Sequence, residues 1–375
     1  MSYGNICNQW KATFENHKNI QSQPRKPKSP LRHSDLLFEF VATGSNGLWR
    51  CIMIVVTGGA GFIGSALVQE LNRRGRTDLI VVDDVDHPEK EKNMASIKYQ
   101  ELRRKDVFLE NVLNLDLKSV EAIIHMGACS STTETDKNFL TKNNYDYTRH
   151  LATYALENNI RFIYASSAAT YGNGEMGYCD DESKLHMLKP LNLYGESKHK
   201  FDLWAEGKGL FDRIVGLKYF NVFGPNEYHK EDMQSMVRKG FLQARDTSKI
   251  RLFKSYRKEY ENGGQERDFL YIKDAVNMTL FFLDHPDVGG IFNIGAGQAR
   301  NWNDLATIVI RAMDREPQIE YIEMPGHIRD QYQYHTCAEI QKIRDAGYTQ
   351  RLSSLEEGII DYVKNYLLPD KRLGY

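Results

Sequence analysis

Thr57-Gly58-Gly59-Ala60-Gly61-Phe62-Ile63-Gly64 follows the apolar run Met53-Ile54-Val55-Val56 and opens a stretch of helical periodicity that ends near Arg74. The octapeptide satisfies GxGxxG as Gly59, Gly61 and Gly64, and GxxGxxG as Gly58, Gly61 and Gly64. Strand, glycine turn and helix in that order allow a tight turn whose backbone N–H groups approach a pyrophosphate, with the positive end of the helix dipole behind them. A glycine-rich turn alone is weak; the strand before it and the helix after it give it meaning. Gly58, Gly61, Phe62, Ile63 and Gly64 are therefore candidate phosphate-side residues.

Working outward, Leu79–Asp83, Ala122–Met126, Arg161–Ser166 and Ile214–Tyr219 read as further short buried strands. Helical stretches such as Asn143–Asn158 and Ser197–Gly207 separate them. That alternation predicts an α/β fold, a Rossmann-like doubly wound parallel sheet. After about Phe220 the pattern loosens, with turns at Gly224-Pro225, Gly263-Gly264 and Gly289-Gly290. The expected organisation is a dinucleotide-binding domain over 53–222, with later segments returning to it, and a smaller C-terminal α/β substrate lobe over most of 223–375. Residues 1–52 differ: they are polar, Pro/Ser-rich between Gln21 and Ser34, and carry Lys11, Lys18, Arg25, Lys26, Lys28 and Arg32 without periodicity. They read as a mis-called extension ahead of a natural start at Met53, or as a disordered tail.

Composition narrows the function. A formal net charge of −1 over 375 residues argues against a nucleic-acid binder, which carries a basic excess. Cys7, Cys51, Cys129, Cys179 and Cys337 are scattered, with neither a CxxC pair nor metal-ligand spacing, as expected of free thiols in a reducing compartment. His125, His229 and His335 form no ligand set in the sequence. No apolar run approaches the ~18 residues of a membrane span. A cytoplasmic enzyme with no membrane partner is the expectation.

Asp83 ends the second strand, where an acid holds the adenosine ribose 2′-OH of NAD. Asp84 follows it. Beyond them lie Lys90, Lys92, Arg103, Arg104 and Lys105, cations that could hold a 2′-phosphate instead. Sequence rules leave NAD and NADP both open.

Tyr194-Gly195-Glu196-Ser197-Lys198 has the form YxxxK, which places phenol and ammonium on one face of a helix. A phenol with a pKa of about 10 is a poor base near neutrality until a neighbouring cation lowers it. Lys198 is expected to do that and to hold the nicotinamide ribose. Ala165-Ser166-Ser167-Ala168 ends a strand 27 residues before Tyr194, so Ser167 can bond the substrate oxygen that Tyr194 protonates and deprotonates. Glycine loop, strand-end serine and YxxxK stand in order, and together they read as an active site rather than three coincidences.

These blocks resemble the extended short-chain dehydrogenase/reductase family. The resemblance covers Met53 to about Tyr366 and includes Tyr219-Phe220-Asn221-Val222-Phe223-Gly224-Pro225 and Arg267-Asp268-Phe269-Leu270-Tyr271-Ile272-Lys273-Asp274. Within the family, His125-Met126-Gly127-Ala128-Cys129-Ser130-Ser131-Thr132-Thr133-Glu134 and Asn226-Glu227-Tyr228-His229-Lys230 are similar to the ADP-glyceromanno-heptose 6-epimerase group, the first string being the more discriminating. The resemblance implies NADP, an ADP-heptose substrate epimerised at C6 through a 6-keto intermediate, and a homo-oligomer, specifically a pentamer. It puts Lys90, Lys105, Met126, Asn143 and Val222 at the cofactor and makes Lys230 a second acid/base lysine that also touches it. It assigns Asn221, Asp232, Lys239, Phe253, Arg267 and Tyr332 to substrate, with Arg267 on the diphosphate. Asp232 and Lys239 depart from the pattern, which has a small residue and a histidine there, and the stretch Arg257–Gly264 is longer than usual.

Two rivals are enzymes of the same family. A dehydratase places an acidic pair just after the catalytic serine or threonine, where this chain has Ala168 and Ala169. A 4-epimerase would share Ser167, Tyr194 and Lys198; GACSSTTE and Lys230 carry that distinction. A third rival is a non-catalytic NADP-binding regulator, which tends to lose the Tyr–Lys pair that this chain keeps.

Overall fold

The structure, a computed structural model, describes residues 53–112, 119–329 and 332–374; the expectations for residues 1–52 lie outside them. A seven-stranded parallel sheet is built from β1 (Met53–Thr57), β2 (Leu79–Val82), β3 (Glu101–Arg103), β4 (Val120–His125), β5 (Arg161–Ser167), β6 (Ile214–Tyr219) and a late strand, Gly290–Ile294. Its order is β3-β2-β1-β4-β5-β6, closed by the late strand beside β6. The doubly wound expectation therefore holds, and the strand Gly290–Ile294 lies parallel to β6 at the edge of the sheet.

The strands read as continuous apolar runs because both sheet faces are covered. Register shows the division. Val55, Ile80, Ile123, Phe162 and Ile214 pair in one row across β1, β2, β4, β5 and β6 and enter one core. Their neighbours Val56, Val81, Ile124, Ile163 and Val215 form the next row and enter the other. A slip of one residue would exchange the two sets, so the apolar pattern fixes the pairing.

The helices in chain order are α1 (Phe62–Arg73), α2 (Pro88–Met94), α3 (Lys105–Val112), α4 (Lys137–Leu140), α5 (Tyr147–Glu157), α6 (Leu193–Gly207), α7 (Met236–Thr247), α8 (Ile272–Asp284) and α9 (Trp302–Ala312), followed by the shorter α10 (Gly326–Arg329), α11 (Gln341–Asp345) and α12 (Leu355–Tyr362). Phe108, Leu151, Ala152, Phe201 and Ala205 of α3, α5 and α6 fill one core. Leu67, Leu71, Ala275, Met278 and Phe282 of α1 and α8 belong to the other, which runs on into Val237 and Phe241 of α7 and Leu305 and Val309 of α9. The expected helix over Asn143–Asn158 is instead a π turn at Thr141–Asp146 running into α5. The expected helix at Ser197 starts earlier, at Leu193, because the Asn192 side chain accepts from Gly195 N at 2.8 Å and caps it there.

After β6 the chain makes β7 (Asn221–Phe223), β8 (Ile250–Phe253), β9 (Glu266–Tyr271), the late sheet strand β10, β11 (Ala299–Asn301) and β12 (Ile319–Ile322). β11, β9 and β7 form a three-stranded sheet, and β12 pairs with β8. The strand order reverses between β1 and β4, so the crevice beyond their carboxyl ends is where this architecture binds ligands.

Candidate active site

That crevice is a cleft of about 820 Å³. The glycine loop after β1 and the Met126–Thr132 segment after β4 line it side by side. Gly58 has φ +67°, and a Cβ there would meet Gly127 N at 2.7 Å; a Cβ on Gly64 would meet Gly58 O at 2.0 Å. The two glycines let the loop close on the neighbouring strand's exit and on its own helix. A Cβ on Gly61, by contrast, would enter the cleft, meeting Gly58 O at 3.1 Å and His229 Nε2 only at 4.0 Å. The N–H groups of Gly58, Ala60 and Gly61 are bonded to Val82, Asp83 and Gly58, so the donors this open cradle offers a dinucleotide pyrophosphate are those of the first turn of α1.

Beyond β2 the acids and bases interlock. Asp83 Oδ2 accepts from Ala60 N at 2.9 Å and Oδ1 from Lys90 Nζ at 3.0 Å. Lys105 Nζ reaches Asp84 Oδ2 at 3.5 Å and donates to Asn143 Oδ1 at 3.3 Å. Asp83, Asp84, Lys90, Lys105 and Asn143 all line the cleft. Lys92, Arg103 and Arg104 instead pair with Glu89, Glu101 and Asp106 and do not line it. The cation cluster of the sequence thus divides into two cleft residues and three surface ion pairs.

Ser167, Tyr194 and Lys198 meet in the same cleft. Ser167 ends β5 and its hydroxyl accepts from Ala169 N at 3.1 Å, while Tyr194 is hydrogen-bonded to Ser167. Lys198 donates to Ala165 O at 2.8 Å. Burial pushes the Lys198 ammonium down to about 8, opposed by Asp202. Burial likewise pushes the Tyr194 phenol up, opposed by the bond with Ser167. The expected lowering of Tyr194 by Lys198 therefore does not dominate in the chain itself: both groups are desolvated, and the ammonium is committed to a backbone carbonyl.

Sequence reasoning missed what stands behind this triad. Asp202, one helical turn after Lys198, and Lys218 form an ion pair at 2.8 Å with neither side chain exposed. Tyr164 and Ser166 hydroxyls donate to Asp202 at 2.8 and 2.7 Å, and Lys218 donates to Thr170 Oγ1 at 2.6 Å. A buried pair is tolerable only when its remaining polar sites are satisfied, as these are. The network joins β5, β6 and α6 directly beneath Ser167. Asn144 also escaped the reading: its side chain bonds both N and O of Cys129, each at 2.9 Å, and accepts no periodic signature. A buried Asp, Lys or Asn offers no sequence signal beyond its improbability in a core.

Lys230 enters from another part of the chain. It lies in the turn Tyr228–Met233, lines the cleft, and its Nζ sits 5.4 Å from the Phe62 ring centre. Burial lowers its pKa, opposed by Glu227. The loop is held by Glu227, which is 1% exposed and accepts from Ser235 N at 2.5 Å and Ser235 Oγ at 2.7 Å. Asn226 (φ 78°) and Glu231 (φ 44°) are non-glycine residues in the left-handed region, so the loop stores backbone strain that these bonds must hold. His229 is the cleft neighbour of Gly61, and burial followed by Lys90 and Lys230 pushes it down to about 4, keeping it neutral.

The residues assigned to substrate divide. Asn221 and Asp232 line the cleft, as do the cofactor candidates Val222, Met126, Phe62 and Ile63. Lys239, Phe253, Arg267 and Tyr332 do not. Lys239 donates to Asp232 O at 2.5 Å. Arg267, 7% exposed, lies between the rings of Trp302 and Tyr332, 5.7 and 5.1 Å from their centres, and Phe253 packs edge-on to Tyr332. Trp302 lines the cleft and donates to Tyr332 Oη at 3.0 Å, so this cluster stands behind the cleft wall rather than on it. Among the described residues Arg267 has no carboxylate partner; Nη1 donates to Glu266 O at 2.8 Å.

Glycine cradle, Ser–Tyr–Lys triad and parallel sheet coincide with a family match over residues 54–295 to the NAD dependent epimerase/dehydratase family. The chain belongs to that family. It is 51% identical over 316 residues to a Nitratidesulfovibrio vulgaris protein named ADP-L-glycero-D-manno-heptose-6-epimerase, covering 84% of this chain and 98% of that one. A Fusobacterium nucleatum protein of the same name is 47% identical over 325 residues, with the same coverage. Among solved structures, the Helicobacter pylori ADP-L-glycero-D-manno-heptose-6-epimerase superposes with a TM-score of 0.72 at 29% identity over 84% of this chain and 96% of that one. A UDP-N-acetylglucosamine 4-epimerase from Methanobrevibacter ruminantium (TM-score 0.69, 23% identity, 85% of this chain and 99% of that one) shares the fold. Among the described residues no helix is long and apolar enough to cross a membrane.

Proposed function

We propose that this epimerase interconverts ADP-D-glycero-β-D-manno-heptose and ADP-L-glycero-β-D-manno-heptose at C6. Identity of 51% to a protein of that name, spanning 98% of its length, carries the substrate. The meeting of Tyr194 and Lys230 in one cleft carries the reaction type. An unactivated carbinol carbon inverts only through an sp² centre. A nicotinamide dinucleotide held by the glycine loop, Lys90, Lys105 and Lys198 would supply that chemistry, reversible hydride exchange at C6.

The chain's own residues supply the rest. Ser167 orients the sugar oxygen, and Tyr194 moves its proton. Once the ketone turns, its oxygen presents from a second direction, where Lys230 is the acid/base group that desolvation has brought toward neutrality. Lys198 holds the ribose and keeps a positive charge near Tyr194. Asn221 and Asp232 line the cleft nearer the sugar, while Lys239, Phe253 and Tyr332 stand behind its wall; Arg267, which among the described residues has no acid partner, receives the diphosphate through its planar fork only if Trp302, which covers it, turns aside.

NADP is the cofactor we favour. The Asp83 charge is offset by the Lys90 ammonium, and its two oxygens each already accept one bond, from Ala60 N and from Lys90, so the acid is not an isolated negative charge that would repel a 2′-phosphate. Lys90 and Lys105 line the same end of the cleft and match a 2′-phosphate in charge. A cytoplasmic homo-oligomer, a pentamer, is part of the same proposal; sedimentation equilibrium tests its number.

The deciding experiment incubates purified protein with ADP-D-glycero-β-D-manno-heptose, without added cofactor, and follows the C6 epimer by proton NMR. Conversion toward a near-balanced mixture supports the substrate and a retained, recycled cofactor. No conversion, even with NADP⁺ and NAD⁺ supplied, removes this substrate. Cofactor released by denaturation and identified by mass separates NADP from NAD.

A further inference from the structure

We propose that residues 370–374 form a latch on the cofactor cleft, with Arg372 the positioning residue that ties the helix bearing Lys90 to the loop bearing Lys230. Both elements lie against the glycine loop: Asn93 of α2 donates to Ala60 O at 3.2 Å and to Asn226 O at 3.0 Å. The terminal segment spans the same two elements. Arg372, whose side chain is 6% exposed, forms an ion pair with Glu89, the α2 neighbour of Lys90. Its guanidinium lies 3.9 Å from the centre of the Tyr228 ring, two residues before Lys230.

Backbone bonds fix the segment on both sides. Tyr228 Oη donates to Lys371 O at 2.9 Å, and Leu373 N donates to Asn226 Oδ1 at 3.0 Å. Just beyond α2, Ser96 Oγ donates to Leu373 O at 3.0 Å. Every one of these partners belongs either to the 89–96 segment or to the 226–228 stretch. The latch therefore touches no reacting atom and acts only by keeping the two elements together. It rests on the reading of Lys90 and Lys230 as cofactor contacts. A dinucleotide held by both escapes most readily when they part, so the latch sets retention of the cofactor that the catalytic cycle must recycle.

NADPH and NADH fluorescence titration and stopped-flow release, on the full chain, test this without substrate. Arg372→Ala should weaken the better-bound nucleotide about tenfold, mostly through faster release, and Arg372→Lys should recover much of the loss. Glu89→Gln, which leaves the Arg372–Tyr228 stacking in place, should weaken it by about threefold. A folded Arg372→Ala protein with wild-type affinity and release rate overturns the latch, as does a lower melting temperature with unaltered binding. Should Arg372→Ala not fold, Glu89→Gln decides by the same readout: weaker binding supports the latch and unchanged binding overturns it. A wild-type protein that binds NADPH but leaves ADP-heptose unchanged defeats the substrate proposal and not the latch.

Discussion

The cleft brings together two walls that are built differently. The first carries Ser167 at the end of β5 and Tyr194 and Lys198 on α6, regular elements locked from behind by the buried Asp202–Lys218 pair. The second carries Lys230 on a short turn between two left-handed residues, held by Glu227 and the terminal segment. Each wall offers a lysine whose pKa burial lowers. The first wall gets its geometry from helix and strand periodicity. The second gets it from side-chain bonds to a strained backbone. A proton-transfer site can thus pair a rigid group with one whose position depends on a few replaceable contacts.

The sharpest way to break the comparison is to remove one proton carrier from each wall. Tyr194→Phe should lower epimerisation about a thousandfold, within the usual reach of general acid–base catalysis, with cofactor still bound. Lys230→Ala should lower it about a hundredfold on protein kept saturated with cofactor, which the variant holds less tightly because Lys230 also contacts it. Turnover measured by NMR on cofactor-loaded protein gives both numbers. Near-normal turnover in Lys230→Ala would reduce the second wall to a scaffold and leave Tyr194 as the single acid/base group.

How far each wall could be read from sequence follows from how it is made. The strands that carry Val55, Ile80, Ile123, Phe162 and Ile214 announce themselves as short continuous apolar runs, and YxxxK is a helical spacing, so the sheet, the glycine cradle and the first wall are legible in the sequence. Lys230 was reached through family resemblance, because no periodicity marks a turn with φ +44° at Glu231. Asp202, Lys218, Asn144 and Glu227 were silent: a charged residue between apolar ones reads as a solvated helix face until its buried partner, 16 residues away for Asp202, is placed beside it. The position of Arg267 behind Trp302 was also hidden, since lining a cleft and backing it differ only in three dimensions.

Titration sharpens the contrast next. Lys198 in the folded chain loses its proton near pH 8, against about 10.4 for an unfolded lysine. If the ammonium is required, activity should fall by about tenfold per pH unit above that point. Stability moves oppositely. Between the two values the unfolded state binds more protons, so the Lys198 contribution to stability rises with pH and levels off above the unfolded value. Asp202→Asn removes the charge that opposes the downward shift and should move the alkaline limb of kcat to lower pH. A limb that stays fixed in the folded variant would show that the buried pair beneath the first wall acts by geometry alone.

The smallest effect is expected at the adenosine end, where the two walls give way to exposed charge. Lys105 is half exposed and shares Asp84 and Asn143, so a phosphate contact there competes with water and with its own partners. Lys105→Ala should weaken NADPH binding by about fivefold and leave NADH binding unchanged, read by fluorescence titration at low ionic strength. Lys90 is more enclosed and is bound to Asp83, so Lys90→Ala removes an attractive charge and frees an acid at once. That acid can then accept from a ribose hydroxyl, and the preference should shift toward NADH by more than Lys105→Ala shifts it. Equal affinity losses for both nucleotides in the two variants would mean that these lysines serve the loop's own ion pairs, and the 2′-phosphate would have to be sought elsewhere along the cleft.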